Sequence, residues 1–412
     1  MRRLRPGVLK VLPGVLLVLL AAASTAFAQE NSRPNSSLAF RLVREAEKQI
    51  EAKKFEDALR TLVEARQASS TIARVPFLMA TCEYNLGVKT TNLDHTVRAK
   101  ELIQECIKLD PDWGEPHFFF GFLSFAEGDY QVAVKGFQNA LARAYLPKKS
   151  RVNLALSLFK WGVELSAPDG SNDDLSRGIR IFTDAVDRFA ALKDDLRFGR
   201  EQRKEYGDYW IDSLVNLVAL LQRDEQYVEA ERILNGLIAL QPNNYLHHYN
   251  LGLVLGWTYM SGIRALDEYQ KALDLCPDPH WIEPYPMIGY ILSTRARTEE
   301  QELKAEWYFV EYLQQHPNAL RALSRAGDHY RITAGRQPDE RAEKRAGLWA
   351  KAARCFERCL EIDPRSIQTM LKLSEVLRAA KRNSEAARWR SLYDELRLQK
   401  GVARPADAFK PR

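Results

Sequence analysis

Ser157 and Lys160 stand three residues apart in the run SLFK, the spacing at which a lysine can take the proton of a nucleophilic serine. The S-D-N and K-T-G partners of that chemistry are missing, and the run sits inside an amphipathic helical pattern. His247-His248 offers two imidazoles. Adjacent positions on a helix face different directions, so the pair is a poor chelate and reads better as packing or groove residues. The insertion DGSNDD (169–174) is acidic enough to attract calcium. It lacks the alternating ligands and the closing Glu of a calcium-binding loop, and reads as a solvated loop. Cys355 and Cys359 share a helix face, but no histidine pattern completes a zinc site, and free Cys commonly fills a core as a small apolar residue. GxxxxGK[ST], GxSxG and HExxH do not occur. These observations point to no catalytic residue, no cofactor and no metal, and the chain reads as a non-enzyme.

The remaining chemistry is that of recognition. HFFFGFLSFAEGDY (117–130) concentrates Phe118, Phe119, Phe120, Phe122, Phe125 and Tyr130 in one short span. Asn153, Asn216 and Asn250 recur in NLAL, NLVA and NLGL. An Asn amide carries both a donor and an acceptor, which matches a peptide bond.

Helices must position both sets. GDYQVAVKGFQNALA (128–142), EQYVEAERILNGLIALQP (225–242), IRALDEYQKALDLCP (263–277), ELKAEWYFVEYLQQHP (302–317) and GLWAKAARCFERCLEIDP (347–364) share one grammar. A small residue (Ala133, Ala230, Ala265, Ala305, Ala352) is followed four positions later by a bulky one (Phe137, Leu234, Tyr269, Phe309, Phe356). That spacing draws one apolar helix face. Pro242, Pro277, Pro317 and Pro364 close four of these helices, and Pro111 closes a similar one, because proline cannot continue a helix. Upstream of each lies another helix with a small residue among large ones: Ala46, Ala80, Gly121, Ala155, Gly252, Gly289 or Gly327.

This code resembles the tetratricopeptide repeat, with Leu251-Gly252, Ala265, Tyr269 and Pro277 as its clearest instance and the segment from Gly114 to Pro147 as its most regular. About nine units fit between Leu38 and Lys400. Insertions fall at 89–95, 167–174 and 333–345, and extra residues at 194–210 lengthen one step. The terminal units are degenerate, with Leu62 and Arg390 at the usual aromatic position. The resemblance implies an all-α chain, an α-solenoid in which antiparallel helix pairs stack into a right-handed superhelix, with the first helix of each pair on the concave wall.

On that geometry Phe118, Phe122 and Phe125 form a stripe facing a groove, joined by Phe77, Thr81 and Tyr84 on one side and Val152, Leu156 and Phe159 on the other. Phe120 packs inside the array beside Gly121, and Tyr130 seats the next helix. Two readings stay open: an exposed aromatic groove, or a strip covered by the chain itself. Asn153, Asn216 and Asn250 resemble the asparagine ladder of O-linked N-acetylglucosamine transferases, which grips a peptide backbone; local capping is the other reading.

At the N-terminus, Arg2, Arg3, Arg5 and Lys10 precede an apolar run from Val11 to Ala23 and then Ala26-Phe27-Ala28. This reads as a secretory signal peptide, 1–28, with Pro13-Gly14 interrupting the run and no lipid-bearing Cys after it. Its removal takes four positive charges and lowers the formal charge from +6 to +2. A nearly neutral mature chain argues against nucleic acid. A linker (29–37), the repeats (38–400) and a disordered tail (401–412) follow. The expected function is an exported scaffold, periplasmic or secreted, without a membrane span once the signal is removed, that binds a protein or peptide partner in its groove. The alternative is a glycan or small-molecule binder of the cell envelope that uses the same aromatics.

Overall fold

The computed structural model describes residues 34–167, 170–258 and 262–399; the signal peptide and tail read from the sequence lie outside these. The described residues are helical with no strand, and the chain divides into two compact units, Met1–Ser213 and Leu214–Arg412.

In the first unit α1 (Pro34–Glu51) pairs with α2 (Phe55–Ala68), α3 (Arg74–Thr90) with α4 (Leu93–Leu109), α5 (Gly114–Glu127) with α6 (Tyr130–Ala142), and α7 (Pro147–Leu165) with α8 (Asn172–Lys193). The unit boundary falls inside α9 (Arg200–Arg223). The second unit continues with α10 (Tyr227–Leu240) and pairs α11 (Tyr245–Thr258) with α12 (Ile263–Leu275), α13 (Tyr285–Arg295) with α14 (Glu299–Gln315), α15 (Leu320–Arg336) with α16 (Ala342–Ile362), and α17 (Ile367–Ala379) with α18 (Asn383–Gln399). The first helix starts at Pro34, inside the stretch read as a linker, because proline fits a helix's first turn, where its missing N–H is not needed.

The small-and-large code is the packing itself. A methyl group added at Gly252 would lie 2.7 Å from the Tyr269 ring, and one at Gly327 would lie 2.7 Å from the Phe356 ring. Both contacts are closer than carbon atoms tolerate, so each glycine admits the ring of the second helix. In α7 the residue in this role is Gly162, against Phe182, rather than Ala155. Between α5 and α6 the backbones themselves meet: a methyl group on Gly136 would come within 2.5 Å of the Gly121 Cα. Second helices bury one stripe each, as in Ala58, Leu62 and Ala65 of α2 or Phe182, Ala185 and Phe189 of α8. Each phenylalanine so buried contributes about 1.5–3 kcal/mol.

Polar residues set the helix ends. Asp129 accepts from the Val132 N–H at the start of α6, directly after Gly128 closes α5 with φ of 85°. Ser171 and Asp174 form a capping box that opens α8. The first insertion is absorbed by extending α3 to Thr90, and the longest by running α15 to Arg336, followed by a 3-10 turn at Asp339–Arg341.

Candidate functional site

In the first unit the aromatic strip forms, but in a different phase from the one expected. Phe118 is only 3% exposed and packs edge-on to Phe137 at 5.4 Å and Tyr145 at 6.0 Å, so it belongs to the core between the helices and lines no groove. The residues that turn toward α3 are Phe119 and Phe122: Phe119 lies 6.1 Å from Phe77 and 5.7 Å from Tyr84, and Phe122 lies 5.7 Å from Tyr84. Phe77 is itself buried, against Trp113 at 4.7 Å. Phe125 leaves this set and meets Tyr130 at 5.5 Å across the α5–α6 turn. Phe159 is buried in a separate cluster between Phe182 and Tyr209. Phe120 is half-buried, with the Lys100 ammonium 5.7 Å from its ring. Tyr84, Phe122 and Phe125 are half-exposed, as is Phe120.

The asparagines are half-buried on first helices, Asn153 in the first unit and Asn216 and Asn250 in the second. Hydrogen bonds reach Asn153 and Asn250 through their backbone carbonyls, from the Ser157 hydroxyl at 2.7 Å and the Gln222 amide at 3.4 Å. Their side-chain amides have no partner among the described residues, whereas Asn216 is engaged within the fold.

The second unit holds an aromatic cluster that no motif announced. Trp281 lies 4.8 Å from Tyr245 and 5.4 Å from Tyr249, and Tyr249 lies 6.0 Å from Tyr269. Tyr312 donates to Glu283 at 3.4 Å. On α15, Arg321 and Arg325 stand one turn apart and therefore on the same face. Burial pushes the Arg325 guanidinium below its ordinary pKa, Tyr269 bears on it next, and Arg321, Tyr249 and Tyr290 follow. Burial also pushes Tyr249 up to about 12. The signal in the sequence was the recurrence of Tyr and Trp through 245–312 together with two arginines at helical spacing.

The first-helix glycines receive second-helix rings, and helix pairs repeat through both units. This is the tetratricopeptide helix-pair fold. No protein-family model matches the sequence, and no curated protein matches it. Among solved structures it is similar to MamA from Desulfovibrio magneticus RS-1 at 19% identity, over 46% of this chain and 96% of that one, with a TM-score of 0.36. It is also similar to YrrB, described as a TPR protein with an unusual peptide-binding site, at 16% identity over 53% and 93% with a TM-score of 0.31. Yeast Tom70 is similar at 13% identity over 89% and 97%, with a TM-score of 0.28. The fold is read from this chain's own packing.

Within that tetratricopeptide fold the side chains resembling catalytic or metal sets are used structurally. Ser157 is fully buried and donates to its own helix. Ser293 and His329 lie 2.7 Å apart, yet Ser293 spends its proton on the Gly289 carbonyl at 2.6 Å and so accepts from the His329 Nδ1–H. His248 bridges the Glu268 carboxylate at 2.6 Å and the Pro242 carbonyl at 2.8 Å, while His247 meets Gln241 and Asn244. Asp174 is held below its usual pKa chiefly by the Ser171 hydroxyl in the capping box, and Asp169 lies outside the described residues. Burial pushes the Cys355 thiol up to about 12 and Cys359 to about 11, away from the thiolate that metal or redox chemistry requires.

Proposed function

We propose that this chain is an exported, non-catalytic scaffold that binds a segment of a partner protein along its first-helix faces. The observation that carries the reading is the pair Asn153 and Asn250. Both lie on first helices, both are half-buried, and both keep a side-chain amide that no described residue engages. A primary amide held by a rigid helix and left unpaired offers a peptide group one donor and one acceptor. Tyr84 and Phe122 add half-exposed ring surface in the first unit, and the Tyr245, Tyr249 and Trp281 rings add it in the second. Export rests on the basic, apolar and small-residue sequence of 1–28. Among the described residues no helix is long and apolar enough to cross a membrane.

The test begins with selection of peptide ligands against the protein from a displayed library. Asn153→Ala and Asn250→Ala together should weaken the selected peptides about tenfold, the scale of one or two net hydrogen bonds, while helicity by circular dichroism stays unchanged. Unaltered affinity in the double variant sinks the asparagine reading. Oligosaccharides that raise the melting temperature where peptides do not would instead favour an envelope-glycan binder.

A further inference from the structure

The first unit contains a cavity of about 580 Å³ between the α5–α6 turn, the C-terminal end of α7 and the first turns of α8, and Ala167 and Gly170 of the second insertion form part of its wall. Its size falls within the roughly 300–1,000 Å³ of small-molecule sites. Two half-buried rings line it, Tyr130 at the start of α6 and Trp161 on α7. Trp161 makes no ring contact and its indole N–H no hydrogen bond among the described residues. The Tyr130 hydroxyl is likewise unengaged there, although its ring meets Phe125 at 5.5 Å.

Four carboxylates share these walls with one guanidinium, that of Arg177, which is drawn to Asp173. Glu127 pairs with Lys100, Asp129 caps α6, and Asp174 caps α8 together with Ser171. The positive ends of both helices are therefore answered by this chain, and neither is left to attract an anion. Glu164, on α7, is exposed and has no partner among the described residues. The acids come from three separate places, and among the described residues no three acidic, imidazole or thiol groups gather closely enough to hold a metal ion. Positive charge distributed along a chain matches such a lining better than a point charge does.

We propose that this cavity binds a linear aliphatic polyamine, with ammonium groups on Glu164 and on the acids of the α5–α6 turn and α8, and methylene segments over Trp161 and Tyr130. An ammonium is attracted to the face of an aromatic ring, Trp most strongly, and the same ring covers the apolar stem. The excess of carboxylates concentrates cations at the cavity mouth. A neutral sugar would stack on the rings but gain nothing from that excess; a polyamine uses both. The site is independent of the asparagine-based reading of peptide capture.

The test titrates the full chain with spermidine by calorimetry at low salt, with N-acetyl-lysine methylamide, calcium chloride and maltotriose as comparison ligands. Spermidine should bind saturably and more weakly as salt rises, and each comparison ligand should bind about tenfold more weakly or worse. Glu164→Gln should weaken spermidine several-fold and Glu164→Lys about tenfold or more, because the position is exposed and the charge is reversed. Trp161→Leu should weaken it about tenfold, and Trp161→Phe less because a ring remains. The exposed Glu300→Gln, on α14, should change nothing. If Trp161→Leu fails to fold, the two Glu164 variants decide. Lack of saturable spermidine binding, or undiminished binding by Glu164→Lys, overturns the assignment. So does equal affinity for N-acetyl-lysine methylamide, which would make a single ammonium sufficient, and so does tighter binding of calcium or maltotriose.

Discussion

Two arginines withdrawn from solvent, one in each unit, are answered differently by the residues around them. Arg74, on α3, sits 5.4 Å from the Phe77 ring and 5.6 Å from the Trp113 ring. It hydrogen-bonds Glu47 of α1 at 3.0 Å and faces Glu115 of α5 at 3.8 Å, so a buried cation ties three consecutive first helices together. Arg325, on α15, is half-buried and has no carboxylate partner among the described residues. In the first case the fold supplies the counter-charge and the group is structural. In the second no described residue supplies a counter-charge, so the same residue type joins no network between helices.

Removing each cation is the sharpest way to break this comparison. Arg74→Met leaves Glu115 and Glu47 without their partner at a buried position, and loss of one member of such a network costs about 3–5 kcal/mol. Denaturant unfolding should register this loss, with hydrogen exchange accelerating first in α1, α3 and α5. Arg325→Met orphans no acid, and its unfolding free energy should stay within about 1 kcal/mol of the parent. A large loss at Arg325 would mean that the residue is structural after all.

The glycine crossings provide a second, smaller contrast. Gly136→Ala drives a methyl group to 2.5 Å from the Gly121 backbone, which cannot rotate away, and should destabilise the first unit by about 1–3 kcal/mol. Gly207→Ala has open space around it and lies within a helix, so it should raise stability by a few tenths to about 1 kcal/mol. Melting temperatures of the two variants should move in opposite directions.

The repeated small-to-large spacing was legible because it is local: Ala133 to Phe137 or Ala265 to Tyr269 needs only one helix to be read. The phase of Phe118-Phe119-Phe120 was not. Successive helix positions are about 100° apart, so three phenylalanines in a row cover most of a circumference and any of them fits the inner face. Only the docking of α5 on α3 and α6 separates Phe119, which faces Tyr84, from Phe118, which faces Phe137. Arg325 was hidden for a related reason. Its spacing to Asp328 reads as an ordinary helical ion pair, and the residue that overrides this, Lys372, comes from α17. Asn153 and Asn250 were visible by their repetition, but whether their amides were spent depended on contacts no spacing encodes.

The Tyr269 hydroxyl, without a partner among the described residues, predicts a still smaller effect with an uncommon sign. Removing a buried polar group that lacks a partner is neutral to favourable, so Tyr269→Phe should raise stability by as much as about 1 kcal/mol, whereas Tyr330→Phe, which breaks a 2.9 Å bond to Glu306, should lower it by a similar amount. If Tyr269→Phe is instead destabilising, the hydroxyl already has an acceptor.

The weakest prediction concerns pH and separates an answered charge from a fully compensated one. Burial pushes the Glu115 carboxyl above its ordinary value of 4.5, even though Arg74 and the Tyr145 hydroxyl pull the other way. The folded state therefore holds this proton to a higher pH than the unfolded chain does. The resulting contribution to stability is fully present below the ordinary value and is lost as pH rises through the folded pKa. Melting curves taken between the two should show the parent gaining stability on acidification relative to Glu115→Gln, which cannot titrate. The same comparison in an Arg74→Lys background should show a wider window if the guanidinium's placement, and not merely its charge, holds the carboxylate ionised. A parent and Glu115→Gln variant with parallel pH profiles would mean that Arg74 compensates the burial completely, and the first unit's network would then be electrostatically closed rather than only geometrically so.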